Sequence, residues 1–422
     1  MVTRSDRRSA SKTRKGAATI WLLFALSALL AAFAVAINET RLWCLRTALQ
    51  NAADASALAA TATLVDDDLL RGNPAYLPAL LQRSTAAGQQ FAQLNVVQGQ
   101  PLVLQPNPTN FADGDLVFCT LDSPQTRQFI AAQNISSTSN TALTQVNSVR
   151  IAAQLTAARG NAPQLLLGSI LARRSMDVIA ASAAMLDRDV IGFRPWDQQP
   201  LPLAPLALLS DPTGSNPLSW QYQVELKKGK DQYRFDRANQ VFVADPAGDG
   251  LYEMSVVLAL EASQTSQANV SILFLGGGDI AGAVNQLATG ITSNDLSSLG
   301  GGLVLRSSDN RLPVAGTTIG PADSSSTATQ LYQQLNQLRQ SAKPLIWPLY
   351  CGQDSGSGNP ILCGFVAARV VQVTPISSGQ PLQFILQPTM ISNSSALTSA
   401  AQRGIGGIAI TNPYVCKVRL VE

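Results

Sequence analysis

The chain has 422 residues, 46% of them hydrophobic, a formal net charge of +3 and no histidine. That length can bury a sizeable core and hold two or three units. The missing imidazole removes Ser-His-Asp and Cys-His catalysis, histidine-held zinc and the usual general base near neutral pH, so the expectation is a protein that is not an enzyme and holds no cofactor. The positive balance is local. Arg4, Arg7, Arg8, Lys12, Arg14 and Lys15 stand against Asp6 in residues 1–15, and the remainder is slightly acidic. No basic body is left for nucleic acid to bind.

The basic tail runs into Ala17–Ile37, 21 residues without a charge. As a helix this run is about 31 Å long, the thickness of a bilayer's hydrocarbon core. The charge bias places residues 1–15 in the cytoplasm and everything after about residue 38 outside it. Trp21 and Trp43 flank the span, one for each interface. A cleaved leader is the competing reading, because Ala34-Val35-Ala36 has a small-x-small pattern, but the run exceeds the roughly 7–15 apolar residues of such leaders. A prepilin leader cut after Gly16 would call for Glu at the fifth position, where Trp21 stands.

Beyond the span the helical period continues. Leu42, Leu45, Leu49, Ala52, Ser56 and Ala59 recur at spacings of three and four, as a packed seam requires. Ala48, Ala53, Ala55, Ala57 and Ala60 leave little bulk, so another backbone can come close. The seam packs either on the protein's own body or on a partner helix. Gln50 and Asp54 are either solvated helix positions or a polar contact with that partner. The helix is expected to end near Leu70, before Gly72 and Pro74.

The stretch Leu49–Ala60, "LQNAADASALAA", with Gln50, Asp54, Ala57, Leu58 and Ala59 at its marked places, carries a resemblance. Residues 15–62 resemble the N-terminal domain of TadG-like proteins of the tight-adherence (Tad, or Flp) pilus machinery. Asn38 and Glu39 stand where members of that family often have Asp. The resemblance implies a single-pass protein of the inner (cytoplasmic) membrane with an extracytoplasmic body. Its partners would be the bilayer and other pilus-assembly or pilin-like proteins, with self-association through the N-terminal helix. Positions of the seam and of the resemblance together make an expected helix-packing motif of Leu42, Leu45, Leu49, Gln50, Ala52, Asp54, Leu58 and Ala59.

In residues 71–195, "PLVLQP", "GDLVFCTLD" and "NSVRIAAQLTA" read as strands, and Asn134–Gln145 as an exposed loop. Leu165–Ala172 is apolar but too short for a second span, and Arg173 and Arg174 end it. A long helix followed by strands is the pilin-like plan, helix on sheet, which TadE- and TadG-like proteins share. A Pro-rich join near residue 196 opens a β-rich region with expected strands at 220–226, 240–244, 252–261, 270–275, 302–306, 345–349, 365–373, 382–386 and 415–420, and helices near 280–290 and 329–340.

Three constellations there suggest chemistry. Asp211, Thr213 and Ser215 have the spacing of oxygen ligands for magnesium in von Willebrand A-type domains, yet Asp-Pro also opens a type I turn. Gly276, Gly278 and Ala281 match a G-x-G-x-x-A loop for a pyrophosphate, but the acid expected about 20 residues on is missing, which favours a plain strand-to-helix turn. Asp245, Asp249 and Glu253 resemble a calcium loop only loosely, and a hairpin between "QVFVA" and "LYEMSVV" accounts for them. Cys351 and Cys363 flank a Gly-rich loop and are expected to form a disulfide in an oxidising compartment. Cys119 and Cys416 either pair or stay buried, and Cys44 is the odd one.

The expected fold is α+β: a basic tail (1–15), a transmembrane and stem helix (16–70), a pilin-like helix-on-sheet region (71–195) and a β-rich extracytoplasmic domain (196–422). The alternatives are an envelope-anchored ligand- or surface-binding protein unrelated to pili, and an enzyme built on Asp or Glu.

Overall fold

A computed structural model describes residues 15–121, 128–132, 146–166, 168, 174–196, 199–306, 308–399 and 412–421. The basic tail, the Asn134–Gln145 loop and most of the Leu165–Ala172 run lie outside the described residues. Helix α1 (Lys15–Thr63) runs unbroken for 49 residues, about 74 Å, because neither Gly nor Pro interrupts it after Gly16. It ends seven residues before the expected Leu70. The amides of Leu64 and Val65 turn back to the Thr61 and Ala62 carbonyls, and the Asp66 carboxylate takes the Asp68 amide at 2.9 Å. Aspartates that bond nearby backbone compete with helix propagation, and three stand here in a row. The four-residue α2 (Asp68–Arg71) follows and stops at Gly72, whose φ of 66° is left-handed.

Helix α3 (Leu77–Leu94) returns antiparallel along α1. The sequence reading did not anticipate it. Its buried face is only partly apolar: Leu77, Leu80 and Leu81 are followed at spacings of four by Ser84, Gly88 and Ala92. The Ser84 hydroxyl donates to the Ala60 carbonyl at 2.7 Å, and Gly88 lies so close to Ala60 that a Cβ there would be 3.2 Å from the Ala60 Cβ.

The strands follow in chain order. In the first half of the chain they are β1 (Val96–Val97), β2 (Gln100–Pro101), β3 (Leu116–Thr120), β4 (Ile130–Ala131), β5 (Ser148–Leu155), β6 (Val178–Asp187), β7 (Val190–Phe193) and β8 (Leu206–Leu209). Then come β9 (Tyr233–Asp236), β10 (Val241–Ala244), β11 (Met254–Leu258), β12 (Val270–Leu273), β13 (Leu303–Val304), β14 (Leu312–Pro313) and β15 (Gly316–Thr317). The last are β16 (Leu345–Gln353), β17 (Pro360–Val373), β18 (Leu382–Pro388), β19 (Ile391–Ser392), β20 (Ala396–Thr398) and β21 (Val415–Leu420). Helices α4 (Ile280–Thr289) and α5 (Ser326–Ser341) begin at side-chain caps, Asp279 accepting from the Gly282 amide and Ser325 from Ala328.

The first sheet has the order β19-β21-β6-β5-β3-β4, and the second half of α1 lies on β5, β6 and β21. Their shared core holds Leu49, Leu64, Leu77, Leu80, Ile151 and Leu186, all fully buried. The second sheet has the order β11-β18-β17-β16-β8-β12-β15, with β14 on β17. Its core centres on Trp347, whose indole donates to the Ala368 carbonyl at 3.1 Å, and on Phe193 edge-to-face with Phe365 at 4.9 Å. The β-rich region does not close on itself. β21 pairs antiparallel with β6, so the end of the described chain completes the first sheet, and β7 pairs with β13 and β20. A cut of the chain at residue 195 therefore does not separate the sheets.

Three local expectations are corrected. Residues 220–226 form a π-helical turn, Gln221–Glu225, because the Gln221 and Gln223 side chains accept the Asp211 and Ser255 amides while Trp220 sinks fully into the core against Tyr414. β10 pairs with β9, and β11 with β18, so no hairpin joins "QVFVA" to "LYEMSVV". Of "PLVLQP", only Pro101 belongs to a strand.

Candidate functional site: the stem helix and its junction with the body

Along residues 19–37, α1 stands clear of the body. Trp21, Leu22 and Phe24 are at least two-thirds exposed, and only Ala34 is buried. α1 is the one helix among the described residues long and apolar enough to cross a membrane. Within the uncharged run the Ser27 hydroxyl closes on the helix's own backbone, donating to the Leu23 carbonyl at 2.8 Å, as a lipid-facing helix requires. Trp43 is 68% exposed just beyond the uncharged run. Asn38, the first residue after that run, is buried. Its amide donates to the Leu166 carbonyl (3.0 Å) and accepts the Leu166 amide (2.8 Å).

Above Asn38 the helix is covered by the protein itself. Leu42, Leu49 and Ala52 are buried, while Leu45, Gln50, Asp54, Leu58 and Ala59 are half-buried. The covered stripe includes Ser56 of the expected seam and is wider than that seam by Ala53, Ala57 and Ala60, because it faces two partners. Ser56 and Ala60 meet α3 at Gly88, while Thr61 donates to the Ala184 carbonyl of β6 at 3.2 Å. Gln50 donates to Asp54 at 2.8 Å and to the Ala181 carbonyl of β6 at 3.1 Å. Both polar residues of the expected motif thus contact this chain's own sheet or each other.

The turn after α1 is fastened by Asp66, Asp67 and Asp68, of which Asp67 reaches the second sheet. Asp67 is buried. Its carboxylate accepts Arg369 of β17 at 2.7 Å, the Thr389 hydroxyl at 2.7 Å and the Met390 amide at 2.8 Å. Asp66 accepts Arg237 through both guanidinium nitrogens and Arg83 at 3.0 Å; Asp68 takes Arg71 and Arg83. Burial works to raise the Asp66 pKa, but the hydrogen bonds of Arg237 and the Asp68 amide, with the charges of Arg237 and Arg83, hold it below the ordinary carboxylate value. Arg71 continues the network to Asp249 at 3.0 Å, and Arg369 lies over the Phe235 ring at 4.4 Å. Sequence reasoning missed this junction, whose one signal was three adjacent aspartates at a helix end.

The chemical constellations are taken up by structure. The Asp211 carboxylate accepts the amides of Thr213, Ser215 and Asn216 and both hydroxyls, while Gly214 closes a turn on the Asp211 carbonyl. These bonds, the Thr213 hydroxyl first, hold its pKa well below the usual range. β12 is antiparallel to both β8 and β15, so Gly276, Gly278 and Ala281 do not lie in a βαβ unit, and the Asp279 carboxylate already caps the helix they open. Asp245, Asp249 and Glu253 do not converge. Asp249 goes to Arg71, Asp245 lies 3.5 Å from Arg234, and buried Glu253 accepts the Gln232 and Tyr233 amides. Burial, helped by Asp231 and Asp249, pushes the Glu253 pKa up to about 7. Among the described residues no group of three or more Cys, Asp or Glu is placed to hold a metal ion. A cleft of about 300 Å³ between α4, α5 and residues 200–203 has no carboxylate or thiol among its lining residues.

The cysteines carry free thiols. Cys351 and Cys363 lie on the paired strands β16 and β17 and hydrogen-bond to each other, which together with Arg311 lowers Cys351 to about 6. Cys119 and Cys416 cannot pair, because β5 and β6 separate their strands by about 14 Å. Both stay buried, and burial pushes their thiols up to about 11 and about 12. Cys44 is exposed.

Searches among curated proteins and among solved structures found no match. A family match covers residues 16–63, nearly the whole of α1, under the description "Putative Flp pilus-assembly TadE/G-like". The long helix that emerges bare and packs on the first sheet is therefore similar, over residues 16–63, to the TadE/G-like segment of Flp pilus-assembly proteins.

Proposed function

We propose that this protein is a single-pass component of the cytoplasmic membrane that helps assemble or anchor an Flp-type pilus, with its tail in the cytoplasm and its body outside. The observation that carries the reading is the division of α1. A lipid-length half stands bare, while the other half is locked into a folded body, in the segment that matches the TadE/G-like family. The basic tail before the span supports the orientation. The way α1 lies on β5 and β6 supports a pilin-like plan.

The role is mechanical rather than catalytic. The span holds the protein in the bilayer, the seam and the aspartate junction make helix and body one stiff unit, and the β-rich region offers a surface to other components of the machinery. The seam is occupied by the protein's own sheet and α3, so self-association through the N-terminal helix would use the bare half. Protease added to intact spheroplasts tests the topology. The body is expected to be digested from outside, and a body protected until lysis would overturn the orientation. Crosslinking in membranes that captures no component of a pilus machinery would overturn the assembly role.

A further inference from the structure

The cleft of about 300 Å³ between α4, α5 and residues 200–203 takes no part in the stem or its junction. Its floor is fixed by backbone pairing. Leu201 exchanges both backbone bonds with Ile291 (2.8 and 3.1 Å), and the Pro202 carbonyl takes the Ile346 amide at 2.7 Å. Buried aliphatic side chains, among them Leu201, Leu287 and Leu345, line the hollow above that backbone. The rim is polar. Gln334 and Gln337 are neighbours on one face of α5, and their side-chain amides have no hydrogen-bond partner among the described residues. Lys343 is exposed and is the one charged lining residue, and no carboxylate pairs with it among the described residues. Ala342 places it there: buried at a left-handed φ of 45°, it ends α5 and turns the chain toward β16.

We propose that this cleft binds the carboxyl end of an apolar peptide chain. Each part of such an end meets a group that suits it. The leucine floor takes an aliphatic side chain. Each glutamine amide carries both a donor and an acceptor, the complement of a peptide group. Lys343 takes the terminal carboxylate through a charge-assisted hydrogen bond. Both α4 and α5 end at the cleft, with Thr289 and Ser341 among its lining residues. The last carbonyls of a helix lack helical donors and favour an N–H. A peptide end brings that N–H along with its carboxylate, whereas a fatty acid brings none. Among the described residues no aromatic ring lines the cleft, so a nucleobase finds no face to stack on, and no carboxylate does, so a cation finds no counter-charge. The volume is at the small end of the roughly 300–1,000 Å³ of ligand pockets, which suits a dipeptide-sized end.

The test uses the full chain in phosphatidylcholine nanodiscs and acetyl-leucyl-photoleucine, a dipeptide with a free carboxylate and a diazirine in its last side chain. After irradiation, adducts are located by mass spectrometry. They are expected on residues 287–290 and 334–345 and to saturate with dose. Ala288→Trp, which puts bulk into the hollow from an exposed lining position, is expected to abolish them. Lys343→Gln, and separately the same dipeptide ending in an amide, are each expected to lower the cleft yield about tenfold, the worth of one hydrogen bond to a charged group. Circular dichroism of both variants is expected to match the parent chain, and the amide-ended dipeptide tests the carboxylate on the unaltered protein. Adducts confined to the span, spread over the body without saturation, or unchanged by Ala288→Trp would overturn the site. A cleft yield unchanged by Lys343→Gln and by the amide ending would overturn the carboxylate contact. A diazirine-bearing decanoic acid that labels the cleft more strongly than the dipeptide would make the occupant a fatty acid and overturn the peptide.

Discussion

Asp67, four residues past the end of the stem helix, meets Arg369 in the middle of β17 at 2.7 Å, across 302 positions of sequence. The same carboxylate holds Thr389 and Met390, so one buried group just past the stem helix joins it to the second sheet.

Removing one partner of a buried ion pair leaves the other charged and unsatisfied, which costs about 3–5 kcal/mol. Asp67→Ala is expected to destabilise the full chain by that order in chemical denaturation. Asp113→Ala, at an exposed position, is expected to stay within about 0.5 kcal/mol.

The α1–α3 contact depends on small side chains. Ala60→Leu would force a larger group against Gly88 and Leu116 and is expected to cost about 1–3 kcal/mol or more by overpacking. Asn51→Leu, on the exposed side of the same helix, is expected to be near neutral. Equal losses from both would show that the small-residue face does not set the packing.

Glu253 makes stability depend on pH. Its pKa rises from 4.5 unfolded to about 7 folded, so between those values the folded chain keeps a proton that the unfolded chain has released. Stability from this group is greatest below about pH 4.5 and falls as pH rises from there through 7, by about 3 kcal/mol in all. Glu253→Gln is expected to flatten that fall in melts run from pH 5 to 8.

Cys351 and Cys363 are placed for a cross-strand disulfide. In a Cys44→Ser chain, which lacks the exposed thiol that would form a mixed disulfide, oxidised glutathione is expected to remove two hydrogens from the intact mass and raise stability by about 2–3 kcal/mol. Cys351→Ser should abolish both effects. An unchanged mass after oxidation would mean the thiols do not form that bond.

Much of this architecture could be read before any coordinates. The uncharged run, the absence of Gly and Pro and the basic tail mark α1, and alternating apolar runs mark β16, β17, β18 and β21 within a few residues. Helix α3 could not be read so, because Ser84, Gly88 and Ala92 line its buried face and close approach, rather than apolar bulk, holds it. Trp220 misled, because an aromatic in an alternating stretch looks like strand until neighbouring glutamines turn the backbone.

The sequence by itself determined that a lipid-length helix follows a basic tail, that its continuation carries a small-residue seam, and that histidine chemistry is excluded. Those are local properties, written in hydropathy, period and composition. Tertiary structure decided what covers the seam, why three aspartates interrupt the helix, and where the last strand goes. Each of these depends on groups far apart in the chain: Arg237 and Arg369 on the aspartates, β6 beside β21, Leu166 on Asn38. A hydrogen bond between distant residues leaves no periodic trace in the order of side chains, and only the folded chain brings its two ends together.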